Sequence, residues 1–175
     1  VTAVPGERTS AFLALKLFEP RVRHRVIRFD EIIPAVVRGE VDAGLVIHEG
    51  QLTYEQQGLK RLLDLGEWWT RTTGLPLPLG GNAVRRDLSP EVVQQISGLL
   101  RESIRYALEH RLEALRYALQ FSRGLDSSQA ECFVGMYVNR RTLDYGEDGR
   151  QAVRHFLDRG YEAGLIPHRV QVDFV

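Results

Sequence analysis

The chain has 175 residues, 43% of them apolar and 26% charged, with 23 Lys and Arg balancing 23 Asp and Glu. That composition describes one ordinary globular unit or two small lobes, with enough apolar material for a core. Balanced charge gives no electrostatic footprint for a nucleic-acid partner, and no apolar run is long enough to span a bilayer.

The single cysteine, Cys132, excludes an internal disulfide framework and any CxxC metal or redox motif. A reducing, cytoplasmic setting fits that usage. Nothing near Val1 looks like a signal peptide. Val1-Thr2-Ala3-Val4 instead reads as a strand running into a turn at Pro5-Gly6, and a chain start inside a strand makes an upstream segment the expectation.

Thr9-Ser10 offers a capping hydroxyl to an apolar helix over residues 11–18. The basic stretch 21–28 is interrupted by Val22, His24, Val26 and Ile27, and reads as an edge strand with solvated charges; in the order of elements, residues 25–29 follow the helix as a strand. Asp30 is then placed to cap a helix over 31–38. Pro34 is tolerated there in or close to the first turn, where amides lack intrahelical acceptors, and Gly39 stops the helix. Next come a strand over 41–47, a short helix over 54–57 ending at Gly58, a strand over 61–65, a helix over 67–72 and a strand around 79–86. Alternation of this kind predicts a crossover α/β lobe.

Beyond Asp87 the character changes. Ser89-Pro90-Glu91 is a strong helix start, with a capping hydroxyl, proline at the first helical position and an acid in the first turn. A helical region to about residue 121 follows, then helices over 127–138 and 147–163, the last closed by Gly164 and Pro167. Val92, Val93, Ile96, Leu99, Leu100, Ile104 and Leu108 recur at helical spacing, so one face needs a partner. Only residues 170–175 offer this half a strand, and residues 74–81 resemble a hinge. The predicted division is therefore an α/β lobe over 1–83 and a mainly helical part over 84–175, with a homodimer left open by the unpartnered face.

Spacing removes several chemistries. His48-Glu49 is followed by Gly50-Gln51-Leu52, so the second histidine of a helical zinc-protease motif is absent. His24, His110, His155 and His168 are scattered, and the loop over 144–149 would put His155 where a calcium loop needs glutamate, so no metal site is read. There is no GxSxG elbow and no Walker or dinucleotide glycine pattern, and no cofactor is expected. Trp68 and Trp69 read either as a stacking platform for a flat ligand or as packing between sheet and helix, with packing favoured.

Two features of the first lobe remain. The turn Pro5-Gly6-Glu7-Arg8-Thr9-Ser10-Ala11 joins a strand to a helix start, whose free amides and hydroxyls can hold a carboxylate or polarised oxygen of a small molecule. The plain alternative is that Thr9 or Ser10 is only an N-cap. His48 ends an apolar strand where open α/β sheets bind ligands, and an imidazole there can transfer protons near neutrality. Its plain alternative is a hydrogen-bonded structural residue.

Taken together, Val4-Pro5-Gly6-Glu7-Arg8-Thr9-Ser10-Ala11-Phe12, Gly39-Glu40-Val41-Asp42-Ala43-Gly44-Leu45-Val46-Ile47-His48-Glu49 and Asp64-Leu65-Gly66-Glu67-Trp68-Trp69 resemble 1,4-dihydroxy-6-naphthoate synthases of the futalosine route to menaquinone. Thr73-Gly74-Leu75-Pro76-Leu77-Pro78-Leu79-Gly80-Gly81, Tyr137-Val138-Asn139 and Asp144-Tyr145-Gly146-Glu147 extend the resemblance over essentially the whole chain. It implies a two-lobed fold like periplasmic binding proteins, here one complete crossover lobe plus the helical return of the other. It also implies a lyase acting on cyclic dehypoxanthinyl futalosine, with His48 as proton acceptor and Ser10 and Ala11 as substrate contacts. Chorismate dehydratase, a related enzyme of the same pathway, and a non-catalytic solute-binding protein are the alternatives.

Overall fold

The computed structural model describes residues 1–121 and 126–175. Its organising element is β1 (Thr2–Val4), which pairs in parallel with β2 (His24–Val26) on one side and β3 (Ala43–Gly44) on the other. The register sets Thr2 against both His24 and Ala43. Pro5, which follows β1 at once, lies on the β3 side of the ladder and has no amide to extend it there, so the β3 pairing stops after Gly44. The predicted strands 25–29 and 41–47 are shortened to 24–26 and 43–44. The predicted strands 61–65, 79–86 and 170–175 carry no strand assignment. An extended segment becomes a strand only beside a ladder partner, which local pattern does not report.

Between β1 and β2 lies α1 (Ser10–Phe18), and between β2 and β3 come a 3-10 turn (Phe29–Glu31) and α2 (Ile32–Val37). Asp30 does not cap α2, as the sequence suggested. It falls inside the 3-10 turn, and its carboxylate takes the Arg28 guanidinium at 2.8 Å, while the N-cap position belongs to Glu31 without a side-chain bond. Two further 3-10 turns, Glu49–Leu52 and Tyr54–Gln57, follow β3, and Gly58 ends the second with φ of 76°, a left-handed turn suited to glycine. Then comes α3 (Leu65–Thr73), capped by Asp64, whose carboxylate accepts from the Gly66 and Glu67 amides.

The chain divides into two compact units, one of residues 1–80 with 148–172 and one of residues 81–147 with 173–175. In the first unit, α2 covers the sheet through Ile32 and Ala35, which pack with Ala3 and Val41. A second cluster joins α1, α3 and α8 (Gly146–Glu162) through Ala14, Trp69 and Phe156, with the Trp69 and Phe156 rings edge to face at 5.1 Å. Residues 148–172 thus pack with the first unit, although the sequence reading kept them with the helical part. Trp69 is 1% exposed, which decides for packing over a stacking platform at that residue.

The second unit is built from α4 (Pro90–Glu109), α5 (Arg111–Leu119), α6 (Ser127–Tyr137) and α7 (Arg140–Leu143). Ser89 accepts from the Val92 amide and Pro90 opens α4, as the local pattern predicted. The helical region is not continuous, since His110 (φ −110°, ψ 48°) breaks it between α4 and α5. No α4 residue is buried, and Leu99 is 69% exposed. The architecture is mixed α/β, with one three-stranded parallel sheet and eight α-helices among the described residues, none long and apolar enough to cross a membrane.

Burial sets the expected energetics. Trp69→Ala should cost about 3–5 kcal/mol in a denaturant titration, while Leu99→Lys should stay within about 0.5 kcal/mol of the parent. Equal losses for the two variants would contradict this division of the core.

Candidate active site

Parallel pairing of β1 with β3 sends the chain out of both strands at the same edge of the sheet. From β1 the turn through Pro5 and Gly6 leads to α1, and from β3 the chain continues through Leu45 to His48. A ladder-like bond from the Leu45 amide to the Ala3 carbonyl, 2.8 Å, keeps the second segment alongside the first. The two sequence-predicted features therefore leave neighbouring strand ends.

At the first, Thr9 is the N-cap of α1. Its hydroxyl oxygen accepts from the Phe12 amide at 3.1 Å, and its hydroxyl proton goes to the Gly6 carbonyl at 3.0 Å. Both hydrogen-bonding functions of the hydroxyl are engaged within the turn. Ser10 Oγ donates to the Leu79 carbonyl at 2.7 Å, a contact that ties the helix start to the segment after α3. The cap uses the Phe12 amide, and the Leu13 amide bonds the Thr9 carbonyl at 3.1 Å. The Ser10 and Ala11 amides are the first-turn donors that this capping leaves over. A carboxylate or oxyanion would be met there by backbone N–H groups and the positive end of α1, with the Ser10 hydroxyl committed to Leu79.

His48 occupies the N-cap of the 3-10 turn Glu49–Leu52, with extended backbone (φ −128°, ψ −171°). Its Nδ1 accepts from the Gly50 amide at 2.9 Å, doing what Ser or Asp does at other helix starts. An amide donor on Nδ1 leaves the proton of the neutral ring on Nε2. Nε2 is buried and has no hydrogen bond among the described residues. The ring stands edge-on to Phe29, with centroids 5.6 Å apart, and its side chain is 14% exposed. Glu49 Oε2 lies 3.9 Å from Nδ1, outside hydrogen-bond range but close enough for charge attraction.

Gly50 and Phe29 were not singled out by the sequence, yet they set the ring's position. A Cβ on Gly50 would lie 2.4 Å from Ile33 Cδ1 and 2.6 Å from His48 Cε1. The residue two positions after His48 must therefore lack a side chain for the ring to lie on that amide. The signal available in advance was the order His48-Glu49-Gly50 itself. Among the described residues, no group of three or more His, Cys, Asp or Glu side chains is arranged to hold a metal ion.

Residues 1–162 match the model of a protein family described as "Menaquinone biosynthesis". Two curated proteins named 1,4-dihydroxy-6-naphthoate synthase are similar. The one from Thermus thermophilus is 41% identical over 163 residues, 93% of this chain and 60% of that protein. The one from Streptomyces coelicolor is 40% identical over 171 residues, 94% of this chain and 61% of that protein. A crystal structure of an Archaeoglobus fulgidus protein superposes with a TM-score of 0.91 at 48% identity, covering 94% of this chain and 62% of that one. The chain thus spans about three fifths of the length of these relatives.

Gly50→Ala should displace the His48 ring and cost about 1–3 kcal/mol in a denaturant titration. Unchanged stability together with unchanged ring resonances of His48 would show that the contact is looser than described.

Proposed function

Because this chain belongs to the menaquinone biosynthesis family, we propose that it forms part of a carbon-carbon lyase converting cyclic dehypoxanthinyl futalosine to 1,4-dihydroxy-6-naphthoate. The names of the Thermus and Streptomyces relatives support that reading. In it, the full enzyme has a two-lobed fold like periplasmic binding proteins, and the small-molecule substrate lies against the sheet edge described above. The setting is cytoplasmic, and the scheme calls on no cofactor.

One observation carries the proposal: the Ser10 and Ala11 amides and His48 emerge from adjacent parallel strands at one edge. A substrate carboxylate or carbonyl held on the amides would bring the neighbouring carbon framework toward the imidazole. His48 takes a proton from the substrate, the electrons of that bond stay on the substrate, and fragmentation of the framework follows. The amides stabilise the charge that gathers on the held oxygen, a task suited to donors fixed by the helix and unable to reorient. Phe29 stands edge-on beside the ring.

His48→Asn tests the assignment in the full enzyme carrying this sequence. Turnover of cyclic dehypoxanthinyl futalosine should fall about 10²–10⁴-fold, with KM little changed, and chorismate offered in parallel should remain unconsumed by the parent enzyme. Near-parental turnover in the variant would remove His48 from the chemistry.

A further inference from the structure

We infer that Glu49 is a positioning residue, whose carboxylate takes the Nδ1 proton of His48 and so makes Nε2 the basic nitrogen of the ring. The inference rests on the reading of His48 as proton acceptor.

Hydrogen-bond bookkeeping drives it. In the structure Nδ1 accepts from the Gly50 amide, so the neutral ring holds its proton on Nε2. That tautomer has its lone pair on Nδ1, directed at a backbone N–H, and no lone pair on Nε2 for a substrate proton. Base action at Nε2 needs the other tautomer, with the proton on Nδ1. An Nδ1–H cannot stay on the Gly50 amide, because two donors would then face each other at 2.9 Å. An acceptor must replace that amide. Glu49 Oε2 is 3.9 Å from Nδ1, so an approach of about 1 Å brings it to hydrogen-bond distance.

The side chains of His48 and Glu49 are only 14% and 23% exposed, so the carboxylate and the ring share one largely enclosed spot. Glu49 takes a proton from solvent and passes it to Nδ1, and Nε2, buried while the ring lies on the Gly50 amide, releases its proton once the ring has turned off that amide, so the proton count of the ring is unchanged. The substrate proton then moves to Nε2 while its bonding electrons remain on the substrate. The ring ends as an imidazolium paired with the Glu49 carboxylate. Gly50 is the counterpart of this arrangement, since its amide holds the resting tautomer and its missing Cβ leaves the ring room at Nδ1.

The test is Glu49→Gln in the full enzyme, followed by two measurements. The kcat for cyclic dehypoxanthinyl futalosine should fall at least about 10-fold, as part of what a general base contributes, with KM within about two-fold of the parent. The averaged ring 15N shifts of His48 should move toward the pure Nε2–H limit, because the form stabilised by Glu49 is lost. Parental kcat overturns the inference, and so does a tautomer population indifferent to the substitution. Glu49→Asp keeps a carboxylate and should recover part of kcat and of the ring shift; it also keeps the inference testable if the glutamine variant does not fold. Inactive His48→Asn beside fully active Glu49→Gln would sink only this inference, whereas active His48→Asn would sink the functional reading beneath it.

Discussion

Two-sided pairing of β1 is the constraint on which the first unit depends. Three residues, Thr2–Val4, hold β2 and β3 in parallel on either flank, and parallel neighbours deliver their loops to one edge. That arrangement places the start of α1 and the His48 turn after neighbouring strand ends. The pairing is short, with Pro5 ending it on the β3 side, yet the strand is anchored from its face. Ala3 and Val4 are fully buried, and Ala3 packs with Ile32, Ala35 and Val41. A small ladder thus relies on helix packing for its stability, in keeping with how little an isolated three-residue pairing contributes.

The same economy appears at the site. Thr9 and His48 each cap a short helical element with a side-chain acceptor, and each thereby fixes the backbone that follows it. For Thr9 the cap uses the whole hydroxyl and leaves the Ser10 and Ala11 amides uncapped. For His48 the cap uses one nitrogen of two. The structural and chemical readings of that histidine therefore call on different tautomers: the cap uses the Nδ1 lone pair, and proton acceptance at Nε2 requires the ring proton on Nδ1.

Much of this was legible in the sequence where the cause is local. Caps and turn stops depend on side chains within four residues, and the starts at Thr9 and Ser89 and the stop at Gly58 follow from that chemistry. The placement of the candidate site after two strands of one lobe was legible for the same reason. Strand extents were not, because a strand needs a partner elsewhere in the chain, and the amide that Pro5 lacks is missing from the ladder with β3. Asp30 shows the limit on helix starts, since Arg28 two residues earlier claims its carboxylate before the α2 amides can. The Gly50 contact was hidden because it is tertiary in part: Ile33, from α2, closes the space on one side and the His48 ring closes it on the other. Likewise the tie from Ser10 to Leu79 spans 69 residues and leaves no local mark.

The central claim is that the α1 start and the His48 ring face one bound molecule. A titration of the full enzyme with 1,4-dihydroxy-6-naphthoate, following the amide resonances of Ser10 and Ala11 and the ring resonances of His48, tests it directly. The account predicts that all three groups shift along a single saturation curve. Saturating shifts at the two amides with a silent His48 ring, or the reverse, would contradict it.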